Sequence, residues 1–477
     1  GPCRLVALYV TQPLTLADIA EGTVLIVGVG REGTALARAL LSLARPPATL
    51  ALEGSDGEAA ARFLEDFGQH ISVHFFEDQE ERPSVFQDVT VAVMSPGIAR
   101  TSALYQALVR WGIALTSSSA LFVSEHASTL VGVTGSKGKS TTSTLLHRLL
   151  IESGHTATLG GNMGIPLVGS EPGDRQVAEL SSYQCHYLEA SPDVVVLTAL
   201  FPEHLDWHGS IDRYFGDKLN IAAHSPRVVI ANADDPILRQ ELTRRYPDLE
   251  VTWVGEGHDW HLEPEGSHSW LCHGDQRLFS TERSTLIGEH NHRNMLLALA
   301  GASATGALDK RAIEAALGSF EGLANRLEHI HDASGVVFIN DSLATNPHAA
   351  AAALQSCSSP AMVWLVGGFD RGVDYTVLVE QVVATTPRHI LGLPGSGPAL
   401  VELFRAALEQ AGRSEEVVLG TVESMSEAVS RARELAGPGD YVLLSPGAPS
   451  FGYYRDYQHR ADDFRAAIET TQPKDPA

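Results

Sequence analysis

The sequence has few of the features that mark secreted, membrane or nucleic-acid-binding proteins. Its 477 residues include four cysteines, which lie far apart and form no CxxC pair, so neither a disulfide framework nor a zinc site is indicated. No apolar run approaches the length of a membrane span, and the N-terminal segment has no signal-peptide pattern. We therefore expect a cytoplasmic protein without membrane contact.

Positive charge is also scarce. Lysine and arginine total 34 residues against 58 aspartates and glutamates, which gives a formal net charge of −24. A surface of this charge repels nucleic acids and anionic membranes, so neither is expected as a partner. An anionic substrate would need basic side chains placed locally against that field. The length favours two or three domains, each with its own core.

One stretch has the features of a nucleoside-triphosphate site. It reads VGVTGSKGKSTT from residue 131, which predicts a buried strand, a glycine-rich turn and then a helix from about residue 142. The turn glycines free backbone amides for phosphate oxygens, a lysine can lie near the β- and γ-phosphates, and a hydroxyl can ligate Mg²⁺. The residues expected to do this are Gly135, Gly138, Lys139, Ser140 and Thr141. The spacing differs from the common GxxxxGK[ST] pattern, because valine stands at position 133.

The N-terminal segment carries a dinucleotide-type fingerprint. A strand, a Gly28-x-Gly30-x-x-Gly33 turn and a helix occur in order, and Glu53 follows the next apolar run. The same glycine spacing also serves plain packing of a helix on a strand. A later strand leads into Ser95-Pro-Gly, where a hydroxyl and amides could face phosphate. Dehydrogenases contain domains of this kind. Hydride transfer does not require a nucleoside-triphosphate site, however, so the turn that follows argues against a dehydrogenase.

Polar residues then follow several predicted strands of the central segment. Glu179 ends one strand and His204 follows another, which offers hard ligands for Mg²⁺ bridging ATP and a second anion. His208, beside a glycine, is expected to be only a loop residue. Asn291 and Asn294 lie three residues apart and therefore on one helix face, where they could bind a nucleotide. For Asn291, capping of the helix is an equal alternative.

Strand and helix patterns begin again near residue 322. Three strands end in polar loops that contain Asp341, Arg371 and Ser445. Doubly wound domains bind ligands at this edge of the sheet, so a further binding site is predicted there.

Taken together, these motifs resemble those of the Mur ligases of peptidoglycan synthesis, in the family's order and over the whole chain. The chain is most similar to the members that add glutamate to UDP-N-acetylmuramoyl-L-alanine. The resemblance implies an α/β protein with three domains. These are a Rossmann-like UDP-sugar domain over 1–120, a P-loop ATPase with a parallel sheet over 121–322, and a Rossmann-like amino-acid domain over 323–477.

The resemblance also implies roles for individual residues. The UDP-sugar would face Gly28, Gly30, Ser95 and Asn162. ATP would contact the phosphate turn together with Asn291, Asn294, Arg326 and Asp341. Two Mg²⁺ ions would be held by Ser140, Glu179, His204 and Lys218, with Lys218 carbamylated. Catalysis would depend on Lys139, His204, Lys218 and Arg326, and the amino acid would meet Thr345, Arg371 and Ser445. The reaction implied is ATP-dependent amide formation through an acyl phosphate, in a monomeric enzyme.

The chain departs from the family's pattern at the amino-acid end. Leu343 replaces the lysine that usually follows Asn-Asp-Ser, and Leu-Ala-Asn-Arg326 replaces Leu-Pro-His-Arg. Because these changes spare the ATP motifs, we favour addition of L-glutamate over D-glutamate. Two other hypotheses stay open. One is a ligase like folylpolyglutamate synthetase, which lacks the first domain, and the other is a non-catalytic nucleotide-sugar sensor.

Overall fold

The structure of the protein is a computed structural model that describes residues 12–54, 57–162, 165–169, 173–203, 205–286, 288–306, 308–318, 320, 327–357, 361–370, 372, 374–450 and 452–471. The chain forms two compact units. The first comprises residues 1–284 with 289–319, and the second comprises 285–288 with 320–477.

The first unit begins with a five-stranded parallel sheet of order β3-β2-β1-β4-β5. Its strands are β1 Thr23–Val27, β2 Ala48–Glu53, β3 Ser72–Phe75, β4 Val89–Met94 and β5 Ala114–Thr116. Its helices are α1 Leu16–Ile19, α2 Arg31–Leu41, α3 Glu58–Phe67, α4 Ala103–Arg110 and α5 Ser118–His126. The side chains of Ser102 and Ser117 accept backbone N–H groups in the first turns of α4 and α5, which explains where these helices begin.

The same unit continues with a nine-stranded sheet of order β14-β13-β12-β11-β10-β9-β6-β8-β7. Strands β6 to β12 pair in parallel, whereas β12 to β14 form an antiparallel meander. The strands are β6 Leu130–Thr134, β7 Ala157–Gly161, β8 Arg175–Glu179, β9 Val194–Leu197, β10 Val228–Asn232, β11 Val251–Val254, β12 Trp260–Glu265, β13 His268–His273 and β14 Gln276–Ser280. The helices are α6 Lys139–Glu152, α7 Ser182–Cys185, α8 Leu205–His208, α9 Ile211–Leu219, α10 Pro236–Arg245, α11 Glu289–Ser303 and α12 Lys310–Gly318.

One hydrophobic core extends through both sheets of the first unit. It includes Leu25 and Val93 from the first sheet and Ala178 and Leu197 from the second, all nearly fully buried. Strands such as Val194-Val-Val-Leu197 are buried at every residue, as expected for parallel strands with both faces covered. Helix α6 begins at Lys139, three residues earlier than predicted, so this lysine lies in the first helical turn.

The second unit contains a six-stranded sheet of order β15-β16-β20-β17-β18-β19. Its strands are β15 Glu328–His331, β16 Val337–Asn340, β17 Val363–Val366, β18 His389–Gly392, β19 Val418–Thr421 and β20 Tyr441–Leu444. All pair in parallel except β15, which runs antiparallel to β16. The helices are α13 Pro347–Ser356, α14 Thr376–Thr385, α15 Gly397–Gln410, α16 Met425–Leu435 and α17 Tyr457–Thr470.

Alternating residues of this third sheet supply two separate cores. Ile339 and Trp364 pack with residues of α13, α14 and α15, whereas Phe338 and Val363 pack with residues of α16 and α17. The sheet is therefore covered by helices on both faces, as in doubly wound folds. The predicted α/β class with three sheet-containing regions is confirmed, while the boundaries at residues 120 and 322 stay predictions. No helix of the described chain is both long and apolar enough to span a membrane.

Gly33 offers a test of the packing of α2 on the first sheet. A Cβ atom at this position would lie 2.2 Å from the carbonyl oxygen of Gly28, which belongs to the backbone and cannot rotate away. We expect Gly33→Ala to lower the free energy of unfolding by about 1–3 kcal/mol in urea denaturation. Gly97→Ala is the matched control, because nothing lies within 4 Å of its Cβ, and it should change stability by less than about 1 kcal/mol. Equal effects of the two variants would contradict this view of the packing.

Candidate active site

The turn between β6 and α6 requires glycine at two positions. Gly135 and Gly138 have φ angles of 153° and 84°, which side chains rarely adopt. A Cβ on Gly135 would lie 2.0 Å from Thr198 Oγ1, and one on Gly138 would lie 2.4 Å from Asn294 Oδ1. The turn thus packs closely against the end of β9 and against α11, and it precedes the N-terminus of a 14-residue helix. This is the architecture that binds phosphate.

Two lysines converge on one backbone carbonyl of this turn. Lys139 Nζ donates to the carbonyl oxygens of Gly135 at 2.9 Å and Ser136 at 3.2 Å, and Lys218 Nζ donates to the same Gly135 oxygen at 2.7 Å. Lys218 is 2% exposed. Burial, assisted by the charge of Lys139, lowers the pKa of Lys218 to about 7 from its ordinary value of 10.5. Near neutral pH this amine is therefore partly uncharged.

Glu179 ends β8 beside the same turn, as predicted. Its partner in the neighbouring strand β6 is Val133, and its side chain is 1% exposed. One carboxylate oxygen accepts a hydrogen bond from Asn162 Nδ2 at 2.9 Å, while the other, Oε2, is buried without a hydrogen-bond partner. A buried carboxylate oxygen in this state is unfavourable unless a cation or water satisfies it.

These residues fit a magnesium ion. Glu179 and the Ser140 hydroxyl are hard oxygen donors, and Mg²⁺ in nucleotide sites takes few protein ligands, completing its shell with phosphate and water. Accordingly, no group of three or more His, Cys, Asp or Glu side chains suited to a metal occurs within the described part of the chain. The predicted ligand His204 lies outside the described residues.

The predicted asparagine pair lies at the same turn. Asn291 and Asn294 are both 8% exposed on α11, with Asn294 Nδ2 at 3.5 Å from Asn291 Oδ1. Because a Cβ atom on Gly138 would lie 2.4 Å from Asn294 Oδ1, the asparagine pair lies beside the phosphate turn. This position is consistent with the predicted nucleotide contact. Asn291, for which helix capping is the alternative role, is the third residue of its helix, so its place in the first turn leaves both roles open.

Three of the four residues expected at the sugar nucleotide, Gly28, Gly30 and Ser95, lie at the end of the first sheet. A Cβ on Gly28 would be 2.6 Å from that of Ser95, so the two loops touch. Glu53 Oε2 accepts the backbone N–H of Val29 at 2.9 Å, at the turn that Gly30 ends. Asn162, which is expected on the same ligand, donates from its side-chain amide to Glu179 Oε1 at 2.9 Å. The loops after β1, β2 and β4 therefore meet at one edge of the sheet.

Sequence reasoning missed a polar cluster in which His208 takes part. His208 is not a loop residue but the last residue of α8, and it is 1% exposed. Its Nδ1 lies 2.7 Å from Asp217 Oδ2, next to Lys218 in the chain. Burial raises the pKa of Asp217, but hydrogen bonds from His186 and His208 outweigh burial and hold it below its ordinary value. Apart from the proximity of a histidine to a glycine, nothing in the sequence marked this cluster.

The second unit brings two other predicted residues together. Asp341 and Ser445 follow β16 and β20, which are paired, and Ser445 Oγ donates to Asp341 Oδ2 at 2.7 Å. Thr345 is half-buried in the loop after Asp341, and Leu343 is 36% exposed there. The predicted residues Arg326 and Arg371 lie outside the described residues.

Arg460, which sequence reasoning did not select, joins the loops of this edge. It is 1% exposed and donates to Ser342 Oγ at 3.0 Å, to Ser342 O at 2.8 Å and to Ala448 O at 2.9 Å. Burial lowers its pKa to about 10. The guanidinium thus holds the loop after β16 against the loop after β20.

Two family models match the sequence, "Mur ligase middle domain" over residues 133–302 and "Mur ligase, glutamate ligase domain" over residues 325–448. A protein of Micromonospora sp. is 39% identical over 462 residues, covering 96% of this chain and 99% of the relative. A protein of Salinispora tropica is 38% identical over 463 residues, covering 96% of this chain and 100% of the relative. Both relatives are named "UDP-N-acetylmuramoyl-L-alanine--L-glutamate ligase".

Solved structures share the fold at lower sequence identity. MurF from Acinetobacter baumannii gives a TM-score of 0.60 at 20% identity and covers 96% of this chain and 99% of its own. MurC from Thermotoga maritima gives 0.58 at 17% identity, covering 94% and 100%. MurF from Thermotoga maritima, solved in complex with ADP, gives 0.54 at 18% identity, covering 89% and 94%.

The buried amine of Lys218 predicts a pH-dependent stability difference. Between about pH 7 and 10.5 the unfolded lysine holds a proton that the folded one has lost, so folding is favoured as the pH rises. We expect wild type to gain stability relative to Lys218→Met across this window, by no more than about 5 kcal/mol. Urea denaturation without bicarbonate and Mg²⁺ measures the free energy of unfolding of each protein at each pH. Subtracting the two values removes the contributions of the titrating groups that both proteins share. A difference that is constant with pH would contradict the lowered pKa.

Proposed function

This chain belongs to the Mur ligase family, and we propose that it joins L-glutamate to UDP-N-acetylmuramoyl-L-alanine while ATP is converted to ADP and phosphate. One observation carries the proposal. A phosphate-binding turn, two lysines and a buried carboxylate converge in a chain that is 39% identical, over 96% of its length, to a named L-glutamate ligase. The substrates and ATP are cytoplasmic metabolites, and we place the enzyme there.

The first chemical step brings anions together. A carboxylate oxygen at the alanyl end of the sugar nucleotide attacks the γ-phosphorus of ATP, the bond to the β-phosphate oxygen breaks, and ADP leaves. Attack of one anion on another is slow unless local charge neutralises the transferring phosphoryl group. In a protein of net charge −24, Lys139 supplies this charge from the first turn of α6.

The second step forms the amide. The uncharged amine of glutamate attacks the carbonyl carbon of the acyl phosphate, the amine loses a proton, and inorganic phosphate leaves. No protein nucleophile is required, so the contribution of this chain is to position three substrates and to stabilise charge. The loops that carry Asp341, Thr345 and Ser445 are the candidates for holding the amino acid.

We further propose that two Mg²⁺ ions take part and that Lys218 is carbamylated. Bound Mg²⁺ would neutralise phosphate charge. Its proposed protein ligands are Ser140 and Glu179, together with His204. An uncharged lysine nitrogen can bond to the carbon of CO₂ and release a proton, which yields an anionic carbamate. The pKa of about 7 and the 2% exposure of Lys218 support this modification, since they leave part of the amine uncharged in a site shielded from water.

The choice of L-glutamate rests on the relatives and on the amino-acid end of the chain. Leu343 stands exposed in the loop between Asp341 and Thr345, where the family usually has a lysine. Loss of a cation beside a dicarboxylic amino acid changes how its two carboxylates can be held. A switch of stereochemistry requires such a change, whereas the ATP end needs none.

Phosphate release measured with separate glutamate isomers tests the assignment. With UDP-N-acetylmuramoyl-L-alanine, ATP and Mg²⁺, we expect turnover with L-glutamate and little with D-glutamate. Preference for the D-isomer would contradict the proposed stereochemistry but not the proposed ligase reaction. Turnover with a folate acceptor would favour the polyglutamate synthetase hypothesis, and binding of the sugar nucleotide without any turnover would favour a sensor.

Lys139→Met should lower phosphate release with either isomer by at least about 100-fold, because one charge on the transferring phosphoryl group is lost. Lys310→Met is the control, since this lysine is exposed at the start of α12, and it should retain activity. Retained activity in Lys139→Met would mean that the phosphate site is misplaced.

A further inference from the structure

The carboxylate of Asp217 joins four separate segments of the first unit. Its Oδ1 lies 2.9 Å from His186 Nδ1, its Oδ2 lies 2.7 Å from His208 Nδ1, and Arg100 Nη1 donates to both oxygens at 3.2 and 3.3 Å. His186 directly follows α7, His208 ends α8, Asp217 lies on α9, and Arg100 lies in the loop after β4. The Asp217 side chain is only 12% exposed, so water screens these charged hydrogen bonds little.

Three of these four segments adjoin or carry expected site residues. Glu179 precedes α7 by three residues, and Lys218 adjoins Asp217 on α9. The loop after β4 begins with Ser95, which was assigned to the sugar nucleotide. A second contact binds that loop to α8, because Trp207 Nε1 donates to the carbonyl oxygen of Pro96 at 3.1 Å.

The ring of His208 is held at both of its nitrogens, by Asp217 and by Ser182 of α7. His208 Nδ1–H donates to the carboxylate, and Nε2 of the same ring lies 2.9 Å from the hydroxyl oxygen of Ser182. The order serine, histidine and aspartate is that of a hydrolase triad. However, Ser182 is 2% exposed and His208 1% exposed, so no substrate carbonyl could reach the hydroxyl. The chain of hydrogen bonds therefore fixes geometry and does not generate a nucleophile.

We propose that Asp217 is a positioning residue that holds the sugar-nucleotide loop after β4 and the segments bearing Glu179 and Lys218 in one arrangement. The inference rests on the proposed function. Asp217 itself touches no reacting atom. It acts through Arg100 on the loop after β4, which is expected to meet the sugar nucleotide, and through His208 and its own helix on the segments that carry Glu179 and Lys218. Removing either connection should therefore affect a different kinetic constant.

Kinetic constants of Asp217→Asn and Arg100→Gln test the proposal. The amide that replaces the carboxylate offers one acceptor oxygen where three donors converge, so we expect a 10–100-fold lower kcat and a raised KM for the sugar nucleotide. Arg100→Gln should raise that KM about 10-fold while kcat and the KM for ATP stay close to wild type. In the Asp217→Asn background, Arg100→Gln should add little, because its partner is already lost.

Asp212→Asn is the matched control. Asp212 lies on the same helix but is 71% exposed, and its ion pairs within the described residues are those with Arg244 and Arg245, so this variant should keep both constants. If Asp217→Asn lowered the melting temperature but left kcat and KM unchanged below the transition, Asp217 would be merely structural and the proposal would be overturned.

Hydrogen exchange gives a readout that does not need turnover. Asp217→Asn should speed amide exchange in residues 95–102 and 211–219 together, while Asp212→Asn should leave 95–102 unchanged. If wild type releases no phosphate, the proposed function fails, but joint loosening of the two segments would still support the positioning role. Loosening of 211–219 alone would overturn it.

Discussion

The carbonyl oxygen of Gly135 accepts hydrogen bonds from two lysines, one in the first turn of α6 and one buried on α9. This contact is possible only because the turn has backbone angles that glycine alone adopts easily and because two other elements pack where side chains would be. It places two lysine side chains at the phosphate turn of an acidic protein. The end of β9 and helix α11 pack directly against that turn.

Charge accounts for much of the local arrangement. At a net charge of −24, a phosphorylated nucleotide and an anionic acceptor meet an unfavourable field unless cations are concentrated at the site. Burial disfavours the charged form of Lys218, and the nearby ammonium group of Lys139 adds to this effect. The lowered pKa of Lys218 is the result, and it makes the amine available for covalent change.

Partly buried polar contacts join the first two sheets in addition to their shared core. Glu32 on α2 accepts hydrogen bonds from Ser118 at 2.7 Å and from Gln184 at 2.8 Å. Burial raises the pKa of Glu32, and these hydrogen bonds oppose that rise. Together with the Asp217 cluster, this contact ties the dinucleotide-type turn to the strand end that carries Glu179. Contacts of this kind depend on direction, so they hold loops in one relative position, which apolar packing alone does not.

The sequence by itself determined the α/β class, the phosphate turn and the strand ends at which Glu179, Asp341 and Ser445 lie. These features are local: glycine spacing, buried apolar runs and the polar residue that follows each strand are all set by neighbours in the chain. Only the tertiary structure decided that Lys139 and Lys218 share one acceptor, that Asn162 bonds Glu179, and that His208 and Arg460 are buried. These features depend on segments brought together from different parts of the chain, and no local pattern states which polar side chains will meet once the strands are ordered in a sheet.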